Sequence, residues 1–506
     1  MRDGVRLRLC VMMFLQYAVW GAWGVSIGGY MYETLHFDGS QVGWMFSTTA
    51  VAAMISPLFV GYFADRFFAT EKLLAALHLI GAILLLIAAF TTEFSKLFII
   101  MQAYALCYMP TLALTNSISF ANIADSKRDF PGIRVWGTWG WIIAGWTIGF
   151  LVGGKTNGQF LVATGMSLLL AIFCLYLPHT PPRAKTAPLS PTNTGSQANS
   201  GQGIFRLLGD PTFLVFVVCS FLICIPLSFY YSQANGFLEQ LEAPYPTALQ
   251  TIGQLSEVGF MAAMPFFIAR LGVKRMLTVG MLAWVLRYMA FASLSLPAVI
   301  FGLFLHGVCY DFYFVASYIY VDTRVDERHR ASAQSFIAFV MLGVGMFVGS
   351  IASGKTVDLY PPVIEVKAEV KSKAGSHAEL LPLPEWDATG NSQFATTLHL
   401  KAESVVVPSM IPATYTETDK ILGTVTHYDH DSLAEGVVRA DRNGDGKTDR
   451  PEWMMARRRR WPFIWLWPAA GALVTCIIFV IGFRDRVNTA GEENVGFQAV
   501  PEEAEP

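Results

Sequence analysis

Long apolar runs recur along the chain and determine its organisation. Each run is close to the roughly 20 residues that a helix needs to cross the hydrocarbon core of a bilayer. We expect helices because a backbone surrounded by lipid must satisfy its hydrogen bonds internally. The runs predict an all-α membrane protein with twelve spans, near residues 7–31, 41–63, 72–91, 96–120, 132–153, 159–178, 211–234, 248–269, 275–294, 297–321, 332–354 and 461–483.

Short sequence matches relate the first six spans to the last six. The matched residues are separated by 200 to 204 positions and lie at equivalent helices. They are Cys107-Tyr108 with Cys309-Tyr310, Arg66 with Arg270, and Gly154-Lys155-Thr156 with Gly354-Lys355-Thr356. Matches at nearly one offset predict two six-helix pseudo-repeats, with a substrate site near the middle of the bilayer between them.

The composition supports a membrane protein and argues against other classes. Hydrophobic residues make up 53% of the 506 residues and charged residues 15%, against about a quarter charged in soluble domains. The formal net charge is −2 and no basic domain stands out, so we expect no nucleic-acid partner. All seven cysteines lie in or beside apolar spans, which predicts neither a disulfide framework nor a cysteine metal site.

The charged residues between the spans predict the orientation of the chain. If twelve helices alternate, most loop cations fall on one side; they are Arg66, Lys72, Lys127, Arg128, Arg183, Lys185, Arg206, Arg270, Lys274, Arg275, Arg324, Arg328 and Arg330. Cationic loops remain in the cytoplasm, so we expect both termini there, in a multi-pass protein of the cell membrane (the inner membrane of a Gram-negative cell). Arg457 to Arg460 conflict with this rule, because they precede the last span on the opposite side.

The spans and the segments between them divide the chain into six parts. We predict an N-terminal six-helix bundle at 1–179, a cytoplasmic linker at 180–206, helices seven to eleven at 207–355, an extracytoplasmic insert at 356–460, helix twelve at 461–483 and a cytoplasmic tail at 484–506. The linker is rich in Pro, Ser, Thr, Gly and Asn, which is typical of flexible segments. We expect a monomer in the lipid bilayer.

The insert is predicted to be a small β-rich domain with a calcium loop. Val363 to Val370 and Thr397 to Leu400 alternate as strands do. Residues 441–452 satisfy the calcium-loop pattern of an EF-hand. The predicted ligands are side-chain oxygens of Asp441, Asn443, Asp445, Asp449 and Glu452 and the backbone carbonyl of Lys447. A plain acidic turn is the alternative, and any calcium is expected to be structural.

Three ionisable residues stand out inside or at the edge of apolar spans. Arg134 begins the fifth span, Glu257 lies in the eighth and Asp311 in the tenth. A charge at the centre of a bilayer costs about 2.5–3.5 kcal/mol on insertion scales, so each is a functional candidate. Glu257 and Asp311 are the candidates for binding and releasing a proton, and the residues themselves do not decide between them.

Two helix faces combine polar, charged and aromatic groups. Arg134, Thr138 and Trp141 recur at i, i+4 and i+7, while Gln254 and Glu257 stand at i and i+3. Together they offer a charged fork, a hydroxyl, an aromatic plane, an amide and a carboxylate to a polar ligand. A structural ion pair at the cytoplasmic edge is the alternative for Arg134, and packing is the alternative for Trp141 and Glu257.

A charged motif after the second span resembles a family signature. Gly61-Tyr62-Phe63-Ala64-Asp65-Arg66 resembles the G-x-x-x-D-R motif of major facilitator transporters. Arg270 to Arg275 looks like its degenerate echo in the second half. The resemblance implies the major facilitator fold, in which a loop with Gly61, Asp65 and Arg66 helps to latch the two halves on the cytoplasmic side.

Further motifs, in order over most of residues 1–355, resemble the bacterial nucleoside:proton symporters. They are Phe14-Leu15-Gln16-Tyr17, Trp20-Gly21-Ala22-Trp23, Tyr108-Met109-Pro110-Thr111-Leu112, Ile133-Arg134-Val135-Trp136-Gly137-Thr138, Gln254-Leu255-Ser256-Glu257, Tyr310-Asp311-Phe312 and Arg330-Ala331-Ser332-Ala333-Gln334. The resemblance implies nucleoside uptake driven by a proton gradient, with no required cofactor. It also implies that the two helix faces described above contact substrate.

The predicted substrate site departs from the family pattern at four positions. Ser228 and Tyr231 stand where the family carries Gln and Asn, His306 where it carries Tyr, and Tyr310 where it carries Phe. We expect these four residues in a related pocket, and the preferred base is left open. His306 is either a substrate contact, a titrating group or a packed histidine of the helix interior.

Two other functions fit the same pattern. One is a transporter of the same fold for another polar small molecule, such as a sugar. The other is a membrane sensor without transport, in which the calcium loop carries the function. An enzyme is not predicted, because the sequence has no HExxH motif and no paired catalytic carboxylates on one helix.

Overall fold

A computed structural model describes most of the chain. The described residues are 3–59, 69–124, 126–181, 207–325, 330–372, 375–386, 392–401, 404–419 and 421–484. The predicted gating residues Gly61, Asp65 and Arg66 lie outside them, as do most of the 180–206 linker and the 484–506 tail.

Helices make up most of the described chain. They are α1 (Asp3–Trp23), α2 (Ile27–Glu33), α3 (Gly39–Phe59), α4 (Thr70–Ala89), α5 (Phe94–Asn122), α6 (Ser126–Trp146), α7 (Gly158–Phe173), α8 (Pro211–Gln240), α9 (Pro246–Ala292), α10 (Leu296–Phe304), α11 (His306–Tyr310), α12 (Ala316–Arg324), α13 (Arg330–Ala338), α14 (Met346–Asp358), α15 (Gln393–Thr397), α16 (His430–Ala440), α17 (Arg450–Arg457) and α18 (Trp461–Gly482). Short π-helical turns cover Thr147–Val152, Asp311–Val315 and Phe339–Gly345.

Ten helices of the described ranges are long and apolar enough to cross a membrane. One of them, α9, has 47 residues and contains Gly272 at φ 67° and ψ 167°, a backbone conformation that favours glycine and interrupts the helix. We divide α9 into two spans at this residue. With α3 added, the division gives twelve spans, and this count remains our interpretation of the helix bounds.

Small residues bring the two halves together at the end of the bundle that carries the insert. A Cβ added to Gly354 of α14 would lie 2.3 Å from the carbonyl oxygen of Gly39, at the start of α3. Asp358 accepts hydrogen bonds from the backbone N–H groups of Gly39 (2.6 Å) and Ser40 (2.8 Å). Close backbone packing of this kind is typical of membrane helices with small residues at their contact. At this end, therefore, the halves are in direct contact.

The insert forms a compact unit around its own apolar core. Strands β1 (Glu365–Ser372), β2 (Gly375–Pro382), β4 (Tyr415–Asp419) and β5 (Thr424–Tyr428) form an antiparallel sheet in the order β2-β1-β5-β4. Strands β3 (Val405–Val406) and β6 (Thr448–Asp449) pair separately. Trp386, Phe394 and Trp453 are fully buried, and the last two stack with ring centroids 4.8 Å apart. The predicted small sheet insert is confirmed, with α15, α16 and α17 packed into it.

One of the two predicted strands of the insert is wrong. Val363 to Val370 overlaps β1, but Thr397 to Leu400 follows a helix, because α15 ends at Thr397. The Ser392 hydroxyl caps α15 by accepting from the Ala395 N–H at 3.0 Å. Leu398 and Leu400 contact the core from the irregular turn after the helix, in which His399 has φ 53°. An alternating apolar pattern over four residues therefore does not distinguish a strand from the end of a helix.

Ion pairs attach the cationic end of the insert to both halves. Arg457 Nη1 lies 3.7 Å from Glu33 Oε2 at the end of α2. Arg458 and Arg450 both pair with Glu242, just after α8. The arginine cluster, Arg457 to Arg460, lies on the side where the charge pattern disfavours cations. Carboxylates of the neighbouring loops offset its charge. A cavity of about 200 Å³ lies between the insert and the bundle and is lined by these same charged groups.

A second contact joins the insert to the first half. His36, in the turn after α2, lies 3.7 Å from a carboxylate oxygen of Asp419 at the end of β4. The neighbouring imidazole holds the pKa of the Asp419 carboxyl below its usual value.

Removing the carboxylate of Glu33 is expected to loosen the insert. The side chains of Arg457 and Glu33 are only 19% and 9% exposed, so Glu33→Gln leaves a nearly buried guanidinium without its charge partner. Such a loss costs roughly 3 kcal/mol at the lower end of measured values. Trypsin should therefore cleave purified Glu33→Gln protein at Arg457 to Arg460 at least about ten-fold faster than the wild type.

The exposed pair Glu93–Lys96 provides a matched control for this experiment. Its side chains are 57% and 70% exposed, and exposed pairs contribute about 0–1 kcal/mol. Glu93→Gln should leave the cleavage rate at the arginine cluster unchanged. Equal cleavage of Glu33→Gln and wild-type protein would contradict a stabilising role of the Glu33–Arg457 pair.

Candidate functional site

The first wall of the site is built where α6 packs on α1. Gly140 permits this contact, because a Cβ there would lie 2.1 Å from the carbonyl oxygen of Phe14. The Arg134 guanidinium carbon lies 4.1 Å from the centroid of the Tyr17 ring, in a cation–π arrangement. One and two turns further along the same face of α6 lie Thr138 and Trp141, both partly buried. Arg134, Thr138 and Trp141 thus follow one another at helical spacing along α6.

Trp141 belongs to an aromatic group on this wall. Its ring meets Trp20 edge to face with centroids 5.3 Å apart, and Trp20 meets Tyr108 at 5.8 Å. The indole Nε1 of Trp141 is buried and makes no hydrogen bond to any described residue. A buried N–H without a partner costs about 1–3 kcal/mol, so a hydrogen-bond acceptor from a ligand would be favourable here.

The second wall carries two carboxyl groups and an amide. Glu257 and Gln254 lie one turn apart on α9, and Asp311 begins the π-helical turn that follows α11. Asp311 is fully buried, and neither of its carboxylate oxygens has a hydrogen-bond partner among the described residues. The Gln254 side-chain oxygen is buried and unpartnered in the same sense. The π-helical turn that begins at Asp311 interrupts the regular α-helix, and interruptions of this kind are frequent at functional sites.

Electrostatic interactions connect the two walls. Arg134 of the first half is close enough to Glu257 of the second half for their charges to interact. Glu257 in turn interacts with Asp311. Tyr310 lies near Glu257 and Tyr17 as well. Arg134 of the first half and Asp311 of the second are thus both within electrostatic range of Glu257, and we refer to these three residues as one row.

Of the four positions that depart from the family pattern, two border this row. Tyr231 of α8 interacts electrostatically with Glu257, and Tyr310 stacks on Phe314 with centroids 5.0 Å apart. Ser228 has another role, because its hydroxyl donates within α8 to the carbonyl of Cys224 at 2.9 Å and also approaches the carbonyl of Met346 at 3.2 Å. Its hydroxyl is thus engaged in the contact between α8 and α14.

His306 is held by an arginine that the sequence analysis missed. Arg287 of α9 is fully buried, and its Nη1 lies 2.8 Å from the Nδ1 atom of His306. The guanidinium carbon is 3.6 Å from the centroid of the Tyr230 ring. The signal was available, because a charged residue inside the apolar span 275–294 is a functional candidate by the same rule that identified Glu257 and Asp311.

A second polar group inside the first half was also missed. His78 of α4 lies 3.0 Å from the Ser167 hydroxyl and 2.9 Å from the Gln16 side-chain oxygen. Gln16 also donates to the Thr111 hydroxyl at 2.7 Å. Since these buried groups satisfy one another, they join α1, α4, α5 and α7 and need no ligand.

The predicted calcium loop has a compact fold of its own. Gly444 and Gly446 adopt φ 74° and 80°, and Asp441 accepts their N–H groups at 2.7 and 2.8 Å. Glu452 accepts the N–H groups of Arg442 and Asn443 at 3.0 and 3.1 Å. The oxygen-rich donor set suits calcium, but in the described part of the chain no group of three or more His, Cys, Asp or Glu side chains is gathered to hold a metal ion.

Comparison with known proteins identifies the family of the chain. A family model described as "Nucleoside H+ symporter" matches residues 3–365. That match ends at the first residue of β1, so nearly all of the insert lies beyond it. The match confirms the predicted transporter class and the prediction that the chain is not an enzyme.

Individual relatives and solved structures agree with this assignment. The chain is 42% identical to YegT of Escherichia coli (strain K12) over 355 residues, which cover 68% of this chain and 82% of that protein. It is 34% identical to a xanthosine permease of the same strain over 375 residues, covering 70% and 88% of the two chains. A crystal structure of a mutant of nucleoside transporter NupG matches with a TM-score of 0.70 and 25% identity, over 95% of this chain and 100% of that one. This solved structure confirms the predicted major facilitator-type helical fold, and the chain belongs to the nucleoside H+ symporter family of membrane transporters.

Proposed function

We propose that this chain takes up a nucleoside together with a proton, through a site between its two halves. The observation that carries the proposal is the row of Arg134, Glu257 and Asp311, in which residues of the two halves are within electrostatic range of each other. In the family fold, substrate sites lie near the bilayer midplane at the interface of the repeats. Alternating access then consists of opening the halves on one side of this site and then on the other.

Each side chain of the site suits one part of a nucleoside. Arg134 and Gln254 offer paired hydrogen bonds to a base edge, Thr138 offers a hydroxyl, and Glu257 accepts from ribose hydroxyls. Trp141, Tyr231 and Tyr310 provide flat surfaces against which a base can stack. The unpartnered polar atoms of Trp141 and Gln254 support this assignment, because a bound nucleoside would satisfy them.

Proton coupling follows from the charge of the row. With both carboxyls ionised, one arginine and two carboxylates carry a net charge of −1, and one bound proton reduces this to zero. A neutral row is cheaper to move through a medium of low dielectric constant, so the loaded transporter changes state more readily than the proton-free one. We assign the coupling proton to Asp311 or Glu257, with Asp311 favoured because both of its oxygens are unpartnered among the described residues.

The arrangement in the membrane is part of the proposal. We place both termini, the 180–206 linker and the 484–506 tail in the cytoplasm, and the insert outside it, in the cell membrane of a monomeric protein. The ion pairs between the arginine cluster and Glu33 and Glu242 support this placement, because they remove the main conflict with the charge pattern. In a Gram-negative cell the membrane would be the inner one.

Uptake into proteoliposomes tests the proposed function. Purified protein, reconstituted with a verified orientation, is supplied with labelled uridine, adenosine or xanthosine under an imposed inward proton gradient. We expect accumulation of at least one nucleoside above its equilibrium level, and loss of that accumulation when a protonophore is added. Absence of uptake of every nucleoside by correctly inserted protein would reject the proposal, and uptake that ignores the proton gradient would reject its coupling.

We further propose that the loop at 441–452 binds calcium weakly, as a structural ion of the insert. Extracellular calcium modules bind with dissociation constants of about 10⁻⁴–10⁻³ M, and we expect a value in this range by isothermal titration of the purified protein. Glu452→Gln removes the bidentate ligand at position 12 and should abolish the heat of binding. Asp431→Asn is the control, because Asp431 is 98% exposed outside the loop. Binding that survives Glu452→Gln would place the ion elsewhere.

A further inference from the structure

Arg287 is an unusual residue in the membrane domain, because it is fully buried without a carboxylate partner. Within the described residues it forms no ion pair, and its Nε and Nη2 atoms have no hydrogen-bond partner. Aromatic rings surround the guanidinium carbon, with the Tyr230 centroid at 3.6 Å and the Trp284 centroid at 5.2 Å. Cation–π contacts of this kind stabilise a desolvated guanidinium. Among the described residues, Arg287 has a side-chain hydrogen bond with His306.

That contact determines which hydrogen-bonding role His306 can take. A guanidinium donates and never accepts, so the Nδ1 atom of His306, 2.8 Å from Arg287 Nη1, must be the acceptor. An imidazole that accepts at Nδ1 carries its proton at Nε2. His306 can therefore offer only an N–H donor to any further partner.

Packing holds the imidazole in this orientation. A Cβ added to Gly253 of α9 would lie 3.1 Å from His306 side-chain atoms, so a larger residue there would require the imidazole to shift by a few tenths of an ångström. The Tyr230 ring lies on another side with its centroid 5.0 Å away. Since Arg287 and Tyr230 are themselves in contact, the three side chains form one rigid group.

The rigid group adjoins the proposed substrate site. The His306 ring centroid lies 5.7 Å from that of Tyr310, whose neighbour in the chain is Asp311. Gly253, which packs on His306, directly precedes Gln254. His306 thus lies between the two parts of the second wall.

We propose that Arg287 is a positioning residue that fixes His306 as a hydrogen-bond donor, and that this pair makes the site prefer nucleobases presenting a carbonyl oxygen over those presenting an amino group. The inference rests on the proposed function. A donor facing a carbonyl oxygen makes a hydrogen bond, whereas a donor facing an amino group leaves both groups unsatisfied. A mismatch of buried polar groups of this kind lowers affinity by roughly ten-fold to a hundred-fold.

Competition between nucleosides that differ at this group tests the inference. Uridine carries a carbonyl at C4 where cytidine carries an amino group, and inosine and adenosine differ in the same way at C6; in both pairs the adjacent ring nitrogen changes from donor to acceptor with it. In the wild type we expect uridine to compete at least about ten-fold better than cytidine for uptake of a labelled nucleoside. Arg287→Met and His306→Phe should each bring this ratio close to one. His306→Gln should retain most of the preference, because its amide oxygen can accept from Arg287 while its NH₂ group donates.

The double variant separates positioning from a structural effect. If Arg287 acts through His306, the Arg287→Met and His306→Phe effects on the uridine-to-cytidine ratio should not multiply in the double variant. Equal loss of uridine and cytidine uptake in Arg287→Met, with the ratio unchanged, would overturn the inference. The His306 variants keep Arg287 in place and decide the question if Arg287→Met does not fold. Absence of any nucleoside uptake by the wild type would instead reject the proposed function, and this inference with it.

Discussion

Asp311→Asn is expected to abolish the accumulation of nucleoside that a proton gradient drives, while exchange of nucleoside across the membrane persists. Asparagine keeps the size of the side chain but cannot bind or release a proton. The row formed with Arg134 and Glu257 would then be neutral at all times, so the halves could change state without a proton. We expect uptake against a gradient to fall at least about a hundred-fold, a change of about 2.8 kcal/mol in driving free energy. Counterflow in preloaded proteoliposomes should remain measurable.

Comparison with Glu257→Gln identifies the carboxyl that carries the proton. Glu257 faces Arg134 across the halves, so its replacement removes a charge partner of Arg134 and an acceptor for ribose hydroxyls. We therefore expect Glu257→Gln to raise the KM for uptake and counterflow alike. Proton-driven accumulation that survives Asp311→Asn and is lost in Glu257→Gln would transfer the coupling role to Glu257. Asp431→Asn, at an exposed position of the insert, controls for changes in expression and reconstitution.

The sequence was sufficient for the architecture because lipid imposes simple constraints. Apolar runs of membrane-spanning length predict helices, and three matches at offsets of 200 to 204 residues predict two related halves. The positions at which helices end or are interrupted were harder to predict. The first run contains two helices, α1 and α2, and the run that should end near residue 354 continues to Asp358 in α14. Apolar patterns carry no signal for the backbone at such ends, because the residues on both sides are equally apolar.

The candidate site was only partly predictable, since it depends on which way each helix faces. Spacing placed Arg134, Thr138 and Trp141 on one face of α6 but could not say that Ser228 faces α14. Gly349, opposite Ser228, leaves the space for that contact, since a Cβ there would lie 2.5 Å from the Ser228 hydroxyl. The rotation of a helix about its axis is set by such contacts between distant segments. For the same reason, the sequence could not predict that the insert's arginines pair with Glu33 and Glu242.

Arg287 shows a different limit of prediction from sequence. A charged residue in an apolar span is visible in the sequence, but the residues that contact it are not. A single arginine in an apolar span indicates function or a buried pair, and the sequence offers no nearby carboxylate to complete one. The structure supplies an aromatic ring and a histidine from two other helices instead. Cation–π and imidazole partners follow no spacing rule in a sequence. The sequence therefore shows that a cation is buried, but it does not show what that cation does.

Arg134 is the other residue whose replacement should nearly eliminate transport. Its guanidinium stacks on Tyr17 and its charge acts on Glu257, so it links the first wall to the second. Arg134→Gln removes the charge and the planar fork, and we expect kcat/KM for nucleoside uptake to fall at least about a hundred-fold. Arg134→Lys keeps the charge but loses the fork and the stacking geometry, and we expect a fall of roughly ten-fold, mainly through KM.

The split between KM and kcat distinguishes substrate binding from the structural ion pair that the sequence left open. A residue that binds substrate raises KM when it is lost, and the folded protein keeps its thermal stability. A structural ion pair would instead lower the thermal stability and the amount of active protein, with KM unchanged in what remains. Arg8→Gln is the matched control, since Arg8 is an exposed arginine of α1 in the same half that donates to the carbonyl of Tyr176. If Arg134→Gln loses thermal stability while its KM is unchanged, Arg134 does not bind substrate. The row would then consist of Glu257 and Asp311 alone, without a cation.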